Sequence, residues 1–241
     1  MISPQAVIQS GDIAEGVKIG EFSIIRPDVR IGKNCIIHPH VVIESGVTMG
    51  EGTEVYPGAY LGKEPKGAGN LARPPVFKRS LVVGSYCQIG PKATLYYDVS
   101  VGDNVLIGDG ASVREQGVIG NNCILGRGVT IHYDVTLGTR SRVLDLSHIT
   151  GNSRIGNNVF ISVGVMTAND NTIGRAGYSD GHVVGITVED DATIGVGAVL
   201  TAGVVVGTKA IVGASSLVTR NVEPHTMVLG VPARVIQRFE P

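Results

Sequence analysis

Residues 83–161 read VGSYCQIGPKATLYYDVSVGDNVLIGDGASVREQGVIGNNCILGRGVTIHYDVTLGTRSRVLDLSHITGNSRIGNNVFI. Every sixth residue is aliphatic: Val83, Ile89, Leu95, Val101, Ile107, Val113, Ile119, Leu125, Ile131, Leu137, Val143, Ile149, Ile155 and Ile161. A helix repeats near 3.6 residues and a half-buried strand near 2, so a period of six fits neither. It fits a three-sided coil of short strands with 18 residues per turn, each coil stacked on the last at roughly 4.8 Å. The same step runs back from Leu61 through Val55, Met49, Ile43, Ile37, Ile31, Ile25, Ile19 and Ile13 to Val7. It resumes at Val188, Ile194, Leu200, Val206, Val212 and Val218, so thirty aliphatic leads predict about ten coils.

The slot four residues after each lead is small or β-branched. It reads Val17, Ser23, Val29, Cys35, Val41, Val47, Thr53 and Ala59, then Cys87, Ala93, Val99, Val105 and Ala111. A narrow interior corner takes only such residues. All three cysteines, Cys35, Cys87 and Cys123, occupy this slot and read as core filler rather than as ligands or nucleophiles. The residue after the lead is often glycine (Gly20, Gly32, Gly50, Gly84, Gly102, Gly120, Gly156), which points to a turn with unusual backbone angles.

Composition agrees with a stacked array. Trp is absent, aromatics make up 5% and glycine reaches 34 residues, so burial has to accumulate without bulky rings. A net charge of −1 gives no electrostatic reason to expect nucleic acid or a membrane surface as partner. No apolar run approaches the roughly 18 residues of a spanning helix. The opening MISPQAVIQSGD lacks the basic and apolar regions of a signal peptide. Three cysteines without a close pair predict a cytoplasmic protein free of disulfides.

Hexads 18 apart stack, so the turns fall into three columns. Two columns open on glycine, as at Gly84, Gly102 and Gly120 or at Gly90, Gly108 and Gly126. The third carries Tyr96-Tyr97-Asp98, Arg114-Glu115-Gln116, His132-Tyr133-Asp134, Thr150-Gly151-Asn152 and Ala168-Asn169-Asp170. Both interruptions of the repeat leave from it. Loop 62–80 is rich in Gly and Pro, with Lys63, Lys66, Arg73, Lys78 and Arg79 against only Glu64, a charge that suits a phosphorylated substrate. Loop 173–187 holds Arg175, Tyr178 and His182 and reads as a flap. The expected plan is one β-helix over 1–222 with a C-terminal tail at 223–241. The third column is expected to line an active-site cleft, with Arg114, Glu115, Tyr133, Asn152 and Asn169 binding substrate.

The hexads follow the pattern of the hexapeptide-repeat acyltransferases: an aliphatic lead, then often Gly, Ala, Glu or Asp, and a small fifth residue. That resemblance covers nearly the whole chain. It implies an all-β fold, a left-handed parallel β-helix, and a homotrimer whose clefts lie between subunits. Residues 159–171 (VFISVGVMTANDN) are similar to a segment of the nucleotide-sugar N-acyltransferases. Those enzymes acylate the amino group of a UDP- or dTDP-linked aminodeoxysugar from acetyl-CoA. On that resemblance Asn169 and Asp170 are the family's Asn-Asp pair and Arg175 is the basic residue that follows. Thr167 departs from the family's aromatic residue, and no Tyr-Pro follows the pair.

Residues 218–238 (VTRNVEPHTMVLGVPARVIQR) resemble the common ending of such enzymes. The resemblance implies that Ala202, Gly203, Arg220 and Arg234 hold coenzyme A, small residues beside the pantetheine arm and arginines on its phosphates. The N-terminal half, with Tyr60-Leu-Gly-Lys63, also resembles the acyl-carrier-protein-dependent acyltransferase of lipid A synthesis. Its catalytic segment matches residues 149–156, but Gly151 stands where that family has His, and a short tail replaces its helical C-terminal domain. The N-acyltransferase resemblance is preferred.

Acyl transfer needs an uncharged nucleophile, a polarised carbonyl and a proton acceptor. His132 is the expected base or sugar-orienting group, since imidazole titrates near neutrality. His148 is its competitor, and Asp170 is expected to meet the substrate ammonium. No metal is expected, because the histidines at 132, 148 and 182 offer no close group of the kind zinc needs. The expected activity is acetyl-CoA-dependent N-acylation of a nucleotide-linked aminodeoxysugar. Sugar O-acetylation and a non-catalytic β-helix scaffold are the alternatives.

Overall fold

A computed structural model of the chain describes residues 1–67, 74–176 and 182–240. The chain winds as a left-handed parallel β-helix with three flat faces. Among the described residues the first face stacks eleven strands, from Val7–Ile8 to Leu217–Val218. The second stacks ten, from Asp12–Ile13 to Val205–Val206, and the third twelve, from Lys18–Ile19 to Arg234–Arg238. Neighbours on a face come from successive coils, so Thr130 pairs with His148 and Thr136 with Arg154. Strands are short because the chain turns every sixth residue. Their hydrogen bonds run between coils, so each coil satisfies the backbone of the next.

The lead residues form the core: Ile25, Ile43, Leu95, Ile131 and Ile149 are fully buried. The small slot is buried beside them, including the cysteines. Each thiol donates to a carbonyl of the next coil, Cys35 to Gly50 at 3.0 Å and Cys123 to Gly138 at 3.0 Å. Burial pushes the three thiols above their usual range, which leaves no thiolate for chemistry.

Among the described residues three strands lie outside the series of aliphatic leads: Met166–Thr167, Thr226–Leu229 and Arg234–Arg238. Thr167 is a polar lead, and its hydroxyl is satisfied on both sides. Oγ1 accepts from the Thr150 N–H at 2.8 Å and donates to the His148 carbonyl at 3.0 Å. Thr226–Leu229 adds a parallel rung to the third face, and Arg234–Arg238 doubles back antiparallel on it.

Two expectations need correction. The first coil is one residue short: Ile8, not Val7, pairs with Ile25, and Val7 is exposed. The glycines after the lead are not there for their backbone angles. Left-handed backbone falls two residues later, at Asn34, Tyr86, Asn104 and Asn122, with φ between 55° and 59°. The glycines are needed because the next coil presses on them. A Cβ on Gly32 would lie 2.7 Å from the Glu51 nitrogen, and one on Gly120 would lie 2.8 Å from the Thr139 nitrogen.

The insertions do not disturb the winding. The first leaves the first face after Tyr60–Lys63 and returns on the second at Leu81–Val83. The second leaves after Met166–Thr167 and returns at Thr187–Val188, again on the second face. Both therefore depart over one edge of the prism. Among the described residues no helix is long and apolar enough to cross a membrane.

Candidate active site

The edge between the first and second faces is built from the polar turns. Backbone bonds stack them: Gln116 N–H donates to Asp98 O, Asp134 N–H to Glu115 O, and Asn152 N–H to Tyr133 O at 3.1 Å. His132 N–H donates to Ile149 O at 2.9 Å, which sets the root of its side chain.

Arg114, Glu115, His132, Tyr133 and His148 come together here. Glu115 is 2% exposed and takes the Arg114 guanidinium in two bonds, from Nε at 3.1 Å and Nη2 at 2.9 Å. The third guanidinium nitrogen, Nη1, lies 3.3 Å from His132 Nε2. The guanidinium carbon is 5.8 Å from the Tyr96 ring centre and 5.9 Å from that of Tyr133, so rings of two coils flank the charge. The Tyr133 ring in turn depends on Gly151, where a Cβ would meet it at 2.7 Å.

Both histidines are held neutral. Burial, then the charge of Arg114 and the presence of His148, lower His132 from 6.5 to about 4. Burial also lowers His148, whose ring meets that of His132 edge-on at 5.7 Å. Its Nδ1 is 2.7 Å from Thr130 Oγ1, one coil away on the same face. Among the described residues His132 Nδ1, which is buried, has no hydrogen-bond partner.

Below this cluster, the first insertion packs onto the edge. Lys63 Nζ donates to the Tyr96 hydroxyl at 2.8 Å, and Arg79 lies 5.4 Å from the Tyr97 ring centre. Tyr97 is a buried plug whose hydroxyl donates to Ser45 O at 2.8 Å. Arg73 lies outside the described residues, as does Tyr178 in the second insertion.

Above the cluster, the remaining expected residues serve the second insertion. Asn152 Nδ2 donates to Val183 O at 3.0 Å, and Asn169 O accepts from Val184 N–H at 2.8 Å. The Asp170 carboxylate closes a turn, taking the Thr172 N–H at 2.6 Å, the Thr172 hydroxyl at 2.7 Å and the Gly174 N–H at 2.6 Å. Those bonds, the Thr172 hydroxyl foremost, hold it below the usual carboxylate range. Arg175 is exposed within that insertion. Ala202 and Gly203 line a cleft of about 250 Å³ with Asn171, Thr172, His182 and Val184. Arg220 is exposed on the turn after Leu217–Val218, one coil further along this edge. Arg234 is not brought to it: it sits on the antiparallel strand of the third face, donating to Ala233 O.

Thr130 escaped the sequence reading, and so did the room that Gly151 leaves for the Tyr133 ring and the polar lead at Thr167. Only Thr167 had a signal, as a polar residue in an aliphatic series. Among the described residues no three His, Cys, Asp or Glu side chains gather in a group that could hold a metal ion.

Comparison with known proteins matches this architecture. The bacterial transferase hexapeptide model, of six repeats, matches residues 12–45 and 80–115. The succinyl-transferase hexapeptide model matches 98–133 and 183–220, and the two together span more than half of the chain. A curated relative from Azorhizobium caulinodans, an acyl-[acyl-carrier-protein]–UDP-N-acetylglucosamine O-acyltransferase, is 34% identical over 106 residues. That match covers 44% of this chain and only 38% of the relative's length. The solved Arabidopsis UDP-N-acetylglucosamine acyltransferase superimposes with a TM-score of 0.64 at 20% identity, over 99% of this chain and 74% of that one. The Moraxella catarrhalis UDP-N-acetylglucosamine O-acyltransferase gives 0.53 at 19% identity, over 98% and 74%. At those identities the two structures attest the fold. With the repeat, the winding and the matched models in agreement, the chain belongs to the hexapeptide-repeat transferase family.

Proposed function

We propose that this chain is an acyltransferase that moves an acyl group from a thioester to a nucleotide-linked sugar bound along the first-to-second edge. The carrying observation is the Arg114–Glu115–His132–Tyr133–His148 cluster on the edge from which both insertions depart. The names of the curated relatives support the substrate class. Lys63, Arg79 and Arg114 supply positive charge beside the cluster, and guanidinium groups suit phosphate.

The acceptor's lone pair adds to the thioester carbon, the C–S bond breaks, and the departing sulfur takes up the proton the acceptor loses. His148, kept neutral by burial, relays that proton. Acetyl-CoA is the proposed donor, its pantetheine arm beside Ala202 and Gly203 in the cleft and a phosphate toward the exposed Arg220 one coil further along the edge. The curated relatives' names specify an acyl-carrier-protein donor, which delivers the same kind of thioester. A homotrimer with this edge at the subunit seam, working in the cytoplasm, completes the reading.

Two acceptor atoms compete. The segment 159–171 favours an amino group and the relatives' names favour a hydroxyl. Asp170 already accepts three bonds from Thr172 and Gly174, so an ammonium would meet a carboxylate largely engaged, whereas a hydroxyl makes no demand on it. The hydroxyl is therefore the first acceptor to test. UDP- and dTDP-linked sugars, with and without a free amino group, are mixed with acetyl-CoA and thiol release is followed. Sugar-dependent release that falls in His148→Ala is expected. No release with acetyl-CoA or with an acylated carrier protein would sink the proposal.

A further inference from the structure

We propose that Glu115 and His132 clamp the Arg114 guanidinium from two sides, and that the clamped guanidinium, not the imidazole, grips the substrate through a phosphate. The inference deepens the acyltransferase reading and rests on it for the identity of the phosphate.

The chemistry of the 3.3 Å contact gives its direction. Arginine carries only donors, so Nη1–H donates and His132 Nε2 accepts. The lone pair of Nε2 is thereby engaged, and the proton of the neutral ring sits on Nδ1. That second nitrogen is closed off from solvent and has no partner among the described residues. Neither nitrogen is open to take a proton from a nucleophile. The groups facing the ring are Arg114, Tyr133 and His148, and none of them is a carboxylate that would favour protonation. The lowered titration of the ring agrees with this geometry.

What His132 does instead is orient. Glu115, buried, holds Nε and Nη2, and His132 holds one proton of Nη1. One N–H on Nη1 and one on Nη2 remain, a pair suited to two oxygens of one phosphate. The Arg114 side chain is 27% exposed, so it is open in part to solvent on this edge. The flanking Tyr96 and Tyr133 rings keep it from swinging along the edge. Among the described residues, the only carboxylate bonded to it, Glu115, is already spent in the clamp. Arg114 is thus the group that touches substrate, and Glu115 and His132 are positioning residues.

The reaction offers this guanidinium two phosphates, one on the acceptor nucleotide and one on coenzyme A. Calorimetry of the full chain with UDP and, separately, with coenzyme A distinguishes them. Arg114→Lys keeps a cation on Glu115 and removes the planar fork, and melting curves confirm folding. A loss of about tenfold in UDP affinity assigns the acceptor phosphate, and the same loss with coenzyme A assigns the donor phosphate. Unchanged affinity for both overturns the inference. His132→Ala is expected to weaken the same probe about fivefold, and His132→Gln, whose amide oxygen still accepts from Nη1, to restore most of that. In turnover, His132→Gln should rescue His132→Ala and keep the wild-type pH profile. A loss of about 10²–10⁴ in His132→Gln, with the acidic limb removed, would make His132 a base and overturn its positioning role. The binding arms read out even if no acyl transfer is found, so failure of the reaction and failure of the clamp are separate results.

Discussion

Two edges of the same prism solve the same turning problem with different side chains. Between the second and third faces glycine follows the lead, and after Gly102, Gly120 and Gly156 comes an Asp or Asn. That side chain accepts the backbone N–H of the coil before: Asp103 from Ser85 at 2.7 Å, Asn121 from Asp103 at 2.8 Å, Asn157 from Thr139 at 2.9 Å. Between the first and second faces the equivalent places hold Arg114-Glu115 and His132-Tyr133, and the bonds run between side chains as well. The first kind of edge spends its polar atoms on stacking. The second leaves side-chain groups over for something else, and it is the edge both insertions flank.

That contrast can be broken at several points. The largest effect is expected from Glu115→Ala, which leaves a partly buried guanidinium without its carboxylate. About 3 kcal/mol of stability should be lost, read as a shift in the urea midpoint, together with affinity for the phosphate probe. Gly138→Ala, on the stacking edge, would place a Cβ 2.5 Å from the Gly156 carbonyl carbon. It should cost about 2 kcal/mol while leaving the kinetics of surviving protein alone.

The pH dependence sharpens the same comparison. His132 titrates at about 4 in the folded chain against 6.5 for the ordinary side chain. Between those values the unfolded chain binds the extra proton, so stability rises with pH across the window and its contribution is complete above it. Lowering the pH from 7 to 4 should remove about 1–2 kcal/mol, discounted for the ring's partial exposure, and His132→Gln should lack that component. An equal pH dependence in both proteins would show that His132 is not buried as described. Gly151→Ala tests the working edge more gently. Its Cβ meets the Tyr133 ring, which can turn, so less than about 1 kcal/mol of stability is expected to go. Turnover should fall severalfold as Tyr133 leaves its place beside Arg114. The smallest effect belongs to Asn121→Ala, about 0.5 kcal/mol for one exposed bond and no change in activity.

Much of the fold was legible because every six-residue step places a side chain in the same environment. Ile131 and Ile149 are buried for the reason that Ile25 is, and a reader needs only the spacing. The polar column was legible for the same reason. The exceptions mark where spacing stops carrying information. Val7 fits the step but a shortened first coil turns it outward. The glycines were visible, yet their cause was a neighbouring backbone and not their own angles. Arg234 looked like a partner of Arg220 along the chain, but the antiparallel return puts it on another face.

From sequence alone came the period, hence the three-sided coil, the core and the edge on which His132, Asn152 and Asp170 lie; the left hand was implied by the family resemblance. Periodicity fixes which edge a side chain leaves from, because 18 residues return the chain to the same corner. Where that side chain then goes is decided by its neighbours in space. Glu115 turning inward to Arg114, His132 offering Nε2 to the same guanidinium, and Asp170 closing its own loop are choices between hydrogen-bond partners that no spacing records.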